Sequence, residues 1–275
     1  MTDDILLLTI GVICGVLGHI LGLGGGILII PFLTEILKVP MHDAIGLSLT
    51  AIIATSAFTT PGKIKNGQVA IKLAALLESI LLIATFAGAY LSLYIDGNYL
   101  KKIFAILMSC IAIMMLNEPK IISYFQRKTQ ARTDSSKSSR LGGEYWDEEH
   151  KKFITYSPEN IKILAIICLL TGFLTGMLGI GGGVIIIPAL VMLANLPVRI
   201  ATGTSLYMLG FTASGGTLIY WMSGNIRTAI VIPLILGAYG GSIIARTYLS
   251  SIKSDVIKKL LLVILIITGV KMWLS

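Results

Sequence analysis

The sequence is poor in charge. Of its 275 residues only 13% are Asp, Glu, Lys or Arg, where a soluble domain carries about 25%. Cysteine is scarce too. Cys14, Cys110 and Cys168 all fall inside apolar stretches. They have no metal-ligand spacing and suggest no disulfide framework, so small packing residues are expected. The N-terminus, Met1-Thr2-Asp3-Asp4, lacks the positive charge that opens a secretory signal. Ile5 onward is therefore expected to be a retained span. No nucleotide-binding motif occurs, which argues against ATP hydrolysis by this chain.

Uncharged apolar length is abundant. The chain is 55% hydrophobic. A membrane-spanning helix needs about 20 mostly apolar residues, and residues 69–94, 161–180, 226–249 and 256–274 each qualify. The net charge of +8 suggests nucleic-acid binding only if position is ignored. Nine Lys/Arg and seven Asp/Glu lie between Asn117 and Lys162. This Ser-rich stretch of mixed sign reads as a flexible linker. The lipid bilayer is the expected environment, and nucleic acid is not an expected partner.

The two sides of this linker repeat one another. The first contains Gly22-Leu23-Gly24-Gly25-Gly26-Ile27-Leu28-Ile29-Ile30-Pro31, the second Gly179-Ile180-Gly181-Gly182-Gly183-Val184-Ile185-Ile186-Ile187-Pro188. The offset is 157 residues. It also aligns Gly15 with Gly172, Pro40 with Pro197, Gly46 with Gly203, Ser48-Leu49 with Ser205-Leu206, and Gly67 with Gly224. Chance apolar similarity would not hold Gly, Pro and Ser in register for so long. Residues 1–116 and 161–275 are read as an N-terminal and a C-terminal transmembrane repeat, and 117–160 as a polar cytoplasmic linker.

Each repeat gives about five helical segments. They are residues 5–21 or 161–178, a short segment 27–37 or 184–196, two long helices 44–60 and 69–94 or 200–223 and 226–249, and a final one 99–116 or 256–274. The short segment has few residues for a full crossing. An odd number of segments turns the second repeat upside down. With the N-terminus outside and the linker inside, Lys and Arg divide 17 to 5 in favour of the inner side, and 8 to 5 without the linker, as the positive-inside rule expects. Trp221 and Trp273 sit at helix ends, where interfacial aromatics belong. The expected fold is an all-α polytopic membrane protein of two inverted repeats with Gly-rich broken hairpins. Inverted repeats with matched short helices are a transporter signature, with the site near the midplane.

At the paired G-x-G-G-G-x-x-x-x-P cores, Gly22–Pro31 and Gly179–Pro188, and at Gly203-Thr204-Ser205-Leu206 with its counterpart Gly46-Leu47-Ser48-Leu49, the chain resembles the TauE/SafE family of membrane transporters, also called sulfite exporters. The resemblance covers nearly the whole chain apart from the linker. It departs at Leu47, where a Thr is common. It implies transport of sulfite, sulfonates or related small sulfur anions across the cell membrane. A homodimer is compatible with it, and no cofactor or metal is implied.

An anion in a membrane needs donors, and no Lys or Arg lies near the middle of a span. Backbone N–H groups and hydroxyls remain. Helix N-termini offer unpaired N–H groups and a partial positive charge, and glycine lets backbone approach a ligand closely. The expected contacts are Gly24, Gly25, Gly26, Gly181, Gly182 and Gly183, with hydroxyls from Ser48, Thr204 and Ser205. Any one glycine is explained equally well by close helix packing; the two matched clusters favour the site. A Rossmann phosphate loop would need a preceding strand and a later acidic residue, and neither is apparent. Glu78 is the one acid well inside a long span, and intramembrane ionisable groups are functional candidates by default. It is read as a proton-coupling candidate, with a structural hydrogen-bonding role as the equal alternative. Glu35 and His19 lie nearer the first glycine cluster. His42, Asp43 and Arg199 are expected in solvated loops. A secondary carrier is therefore the leading expectation and an anion channel the rival. An enzyme would need a nucleophile, a metal cluster or an acid–base pair, and none stands out. A purely structural subunit would leave the glycine clusters unexplained.

Overall fold

A computed structural model of the chain describes residues 2–22, 24–130, 141–147, 152–248 and 254–274. The first repeat forms α1 (Thr2–Leu21), α2 (Gly26–Glu35), α3 (Met41–Lys65), α4 (Ile71–Ser92) and α5 (Gly97–Gln130). The second forms α6 (Ile161–Leu178), α7 (Gly183–Met192), α8 (Val198–Met222), α9 (Thr228–Tyr248) and α10 (Ser254–Leu274). The expected segments are all present, and the fold is helical. The repeated residues punctuate it. Gly25 and Gly182, at φ 81° and 71°, turn the chain into α2 and α7 in the left-handed region that glycine tolerates. Pro40 and Pro197, at φ −53° and −56°, open α3 and α8, since proline's fixed φ suits a helix start. Both α2 and α7 have 10 residues, or about 15 Å at 1.5 Å per residue. That is half of a hydrocarbon core about 30 Å thick.

Five helices are long and apolar enough to cross a membrane: Met41–Lys65, Ile71–Ser92, Gly97–Leu116, Ile161–Leu178 and Thr228–Thr247. Their outward faces are apolar. Ile83, Ile113, Ile166 and Leu236 are all more than half exposed, as lipid-facing residues should be. The interior is where the hydroxyls lie: Ser48, Thr85, Thr171, Thr175, Thr204, Ser205 and Thr212 are buried. The chain is a multi-pass membrane protein. Trp221 and Trp273 remain exposed.

The helices pack by exchanging partners between the repeats. α1 lies on α9 as α6 lies on α4, α3 crosses α8, and α5 pairs with α10. Each pairing maps onto itself or another when the repeats are swapped. Small residues make the closest crossings. Gly11 and Gly15 meet Leu234 and Ala238, and Gly172 and Gly176 meet Leu81 and Thr85. Without side chains there, backbones approach closely enough for dispersion contacts to hold helices together in lipid. α3 and α8 occupy equivalent places in the two repeats and run antiparallel. Leu49 meets Gly216, whereas Ser56, farther along α3, meets Gly210, nearer the start of α8.

Within residues 117–160 two ordered pieces are described. α5 continues to Gln130, and β1 (Gly143–Asp147) pairs antiparallel with β2 (Lys152–Tyr156), Gly143 opposite Tyr156. The Ser-rich stretch 133–140, Glu148-Glu149 and Lys253 lie outside the described residues. Two residues expected in solvent are not there. Asp43 is buried and pairs with Arg227 at 2.9 Å. His42 is partly buried, with its Nε2 3.0 Å from the Ser92 carbonyl oxygen. The connections around them are short, so their side chains fold against neighbouring helix ends.

Candidate functional site

The two glycine hairpins meet in the interior. A Cβ placed on Gly22 would strike Thr202 and Ile187, and one placed on Gly179 would strike Ile45 and Ile30. These partners are related by the same 157-residue offset, so each hairpin rests on the opposite repeat in the same way. A Cβ on Gly24 would press on Ile52 and Leu209, again an offset pair. Gly181 has φ 83°. Neither N-cap, Gly25 or Gly182, is closed by a side-chain hydrogen bond. The first turns of α2 and α7 therefore depend on other groups for the N–H groups that a helix start leaves unpaired.

The hydroxyls around the hairpins behave differently. Ser48 donates to the carbonyl oxygens of Gly179 at 2.9 Å and Gly26 at 3.3 Å, tying the two hairpins together. Thr55 shares its hydrogen between the Gly24 carbonyl oxygen at 3.2 Å and the Ile52 carbonyl oxygen of its own helix at 3.0 Å. Ser205, which stands on α8 where Ser48 stands on α3, is fully buried and its hydroxyl has no partner among the described residues. The Thr204 oxygen accepts the Ala70 N–H at 3.0 Å and fixes the entry to α4, which leaves its own hydrogen to donate. The structure brings Gly24–Gly26, Gly179 and Ser48 into one contact.

Glu78 is 8% exposed. Its Oε1 accepts a hydrogen bond from Thr212 at 2.9 Å, and its Oε2 has no partner among the described residues. Among the described residues, burial and that hydroxyl are what act on the carboxyl. Cationic groups gather elsewhere. Near the end of α1, His19 meets Thr59 at 3.2 Å and lies in the field of Lys63 and Arg246. Glu35, at the end of α2, lies 3.9 Å from Lys101 and 3.7 Å from Lys271. Among the described residues no group of three or more His, Cys, Asp or Glu is placed to hold a metal ion.

Sequence comparison agrees with this architecture. The family described as sulfite exporter TauE/SafE matches residues 7–272. The chain belongs to that family. It is 27% identical over 272 residues to the probable membrane transporter protein YunE of Bacillus subtilis, covering 96% of this chain and 95% of that protein. It is 31% identical over 226 residues to the probable membrane transporter protein MJ0441 of Methanocaldococcus jannaschii, covering 78% of this chain and 71% of that protein. A probable membrane transporter protein of Xylella fastidiosa is 28% identical over 245 residues, 88% of this chain and 84% of its own. No solved structure matches the chain. Within this family member, two residues escaped the sequence reading. Thr171 and Thr175 on α6 are buried, and neither hydroxyl has a partner among the described residues. A Cβ on Gly182 would lie 2.8 Å from Thr175 Oγ1 and 3.0 Å from Thr171 Cγ2. They were discoverable: they are the only hydroxyls in α6 and stand one turn apart, just before the hairpin.

Proposed function

We propose that this protein is a secondary carrier that moves small sulfur oxyanions, such as sulfite or a sulfonate, across the cell membrane. The carrying observation is that Thr171 and Thr175, buried beside Gly182 at the α7 N-terminus, have no hydrogen-bond partner for their hydroxyls among the described residues. Buried polar groups are normally satisfied, so a ligand that accepts hydrogen bonds fits them. The family name supports a sulfur oxyanion as that ligand. Neutral donors suit a carrier, which must release what it binds.

Glu78 is assigned the coupling proton. A buried carboxylate is costly when charged, and a proton on Oε2 would neutralise Glu78 so that a bound anion does not add a second negative charge beside the first. The repeats are read as inverted, with both termini outside. The antiparallel course of α3 and α8 and the 17-to-5 charge division support this.

Two experiments test these readings. Proteoliposomes would be loaded with labelled sulfite, sulfate, thiosulfate or taurine, with and without a pH gradient. Saturable flux driven by the gradient is expected; flux that does not saturate and ignores the gradient would indicate the channel instead. For orientation, single cysteines at Ser136 and Asp96 would be labelled on intact cells with an impermeant maleimide. Labelling is expected at Asp96 alone, and labelling at Ser136 alone would reverse the topology.

A further inference from the structure

We infer that the two hairpins are unequal, and that the α7 hairpin alone holds the anion, through the hydroxyls of Thr171, Thr175 and Ser205. This rests on the carrier reading above and assigns its site to one repeat. The repeat relation supplies a position-by-position control. Thr171 corresponds to Cys14, Thr175 to Gly18, Ser205 to Ser48 and Thr212 to Thr55.

On the α2 side every such position closes the hairpin. Gly18 packs against its backbone so tightly that a Cβ would lie 2.5 Å from the Gly25 nitrogen. Ser48 and Thr55 give their hydrogens to glycine carbonyls. A Cβ on Gly25 would lie 2.7 Å from the Cys14 carbonyl oxygen, so backbone already fills the space in front of α2. On the α7 side the same positions are open in chemistry. Thr175 and Thr171 replace a glycine and a thiol; Thr175 brings its hydroxyl and Thr171 its methyl against Gly182 at the start of the helix, and neither hydroxyl has a partner among the described residues. Thr212 turns to Glu78. Ser205 is left without a partner.

Three buried hydroxyls without acceptors are unfavourable in the empty protein, because each forgoes a hydrogen bond it had in water. An oxyanion offers the missing acceptors. Beside Thr175, α7 adds the partial positive charge of its N-terminus. Glu78, on α4 of the first repeat, reaches α8 through Thr212, two turns along from Ser205, so the proton site is contributed across the boundary between the repeats.

The test compares five proteins in the same proteoliposomes: wild type, the double variant Thr171→Val with Thr175→Val, Ser205→Ala, Ser48→Ala, and Thr175→Ser. Transport KM and kcat and the melting temperature without anion are read for each, using whichever of sulfite, sulfate, thiosulfate or taurine the wild type carries. Valine keeps the shape of threonine and removes only the hydroxyl. The double variant should raise KM at least tenfold while melting no lower than wild type. Ser205→Ala should raise KM several-fold. Ser48→Ala should melt lower with KM within twofold of wild type. Thr175→Ser should restore wild-type KM and covers the case in which the double variant does not accumulate. Wild-type KM in the double variant, or an equal rise of KM in Ser48→Ala at unchanged melting temperature, would overturn the inference and leave the carrier intact. If the wild type carries none of the four anions, the carrier reading falls and this site falls with it.

Discussion

At the α2 hairpin, Ser48 and Thr55 direct their hydroxyl hydrogens at glycine carbonyls; at the α7 hairpin, their counterparts Ser205 and Thr212 do not. The glycine cores themselves are nearly identical, and both hairpins turn into 10-residue helices. The difference lies in what surrounds them. One repeat supplies Cys14 and Gly18, the other Thr171 and Thr175. Duplication gives a carrier two copies of one scaffold, and divergence lets one copy become rigid while the other takes ligand chemistry. The left-handed glycines serve the scaffold in both copies. Their neighbours decide which copy binds.

The sharpest way to break this comparison is to add one methyl group to each hairpin. Gly25→Ala and Gly182→Ala both place a side chain in the left-handed region, at a cost of about 1–2 kcal/mol. Their collisions differ. At Gly25 the new carbon meets the backbone of Cys14 at 2.7 Å, which cannot rotate away, so α1 must shift. At Gly182 it meets the Thr175 hydroxyl at 2.8 Å, which a χ1 change relieves. Gly25→Ala should therefore lower the yield of folded protein severely. Gly182→Ala should retain most of its folded yield on size-exclusion chromatography and lose transport more than tenfold. Equal folded yields with equal loss of transport would mean that the hairpins are equivalent.

Glu78 sharpens the comparison further: it stands on α4 of the first repeat, its counterpart in the second is Ile235, and its hydrogen bond reaches across to Thr212 of the second repeat. Glu78→Gln keeps the acceptor for Thr212 and removes titration. Protonated Glu78 is the transporting form in this scheme, so wild-type uptake should fall as pH rises through its titration, while Gln stands in for the protonated form at every pH. The variant should transport at a rate that no longer depends on pH and is no longer driven by a pH gradient. Uptake with the wild-type pH profile would make Glu78 a purely structural acceptor.

The helices, the duplication and the hairpins were legible in the sequence because each is carried by a repeated local signal: apolar length, a glycine cluster, a proline at a helix start. Ser48 and Ser205 were found by the same logic. That logic also concealed Thr171 and Thr175. Searching for residues shared by the repeats passes over those that differ, and the asymmetry resides in the differences. Thr204 shows the converse. It was legible as a motif residue, and its oxygen also accepts the Ala70 N–H, a tertiary contact between α8 and the start of α4 that no local pattern reveals. Asp43 was misplaced for a related reason. Loop position suggested solvent, and an ion pair with Arg227, distant in sequence, holds it inside.

The smallest expected effect concerns the far end of α2. Glu35 is its last residue and is buried, with Lys101 and Lys271 within 4 Å. A carboxylate at a helix C-terminus meets the negative end of the helix dipole, so the two lysines offset that repulsion and fasten α2 to α5 and α10. At the equivalent place α7 has Met192 and no such tether. If α2 is the fixed hairpin, Glu35→Gln should loosen it without touching the anion. Lys271 is more than half exposed, so the pair is worth about 1 kcal/mol, in the range of surface pairs. Melting should fall by roughly 2–4 °C. The difference from wild type should shrink in high salt, which screens the exposed lysine. KM for the transported anion should stay within twofold of wild type. A large rise in KM with an unchanged melting temperature would place anion binding at the α2 hairpin after all, and would reverse the assignment of roles between the two repeats.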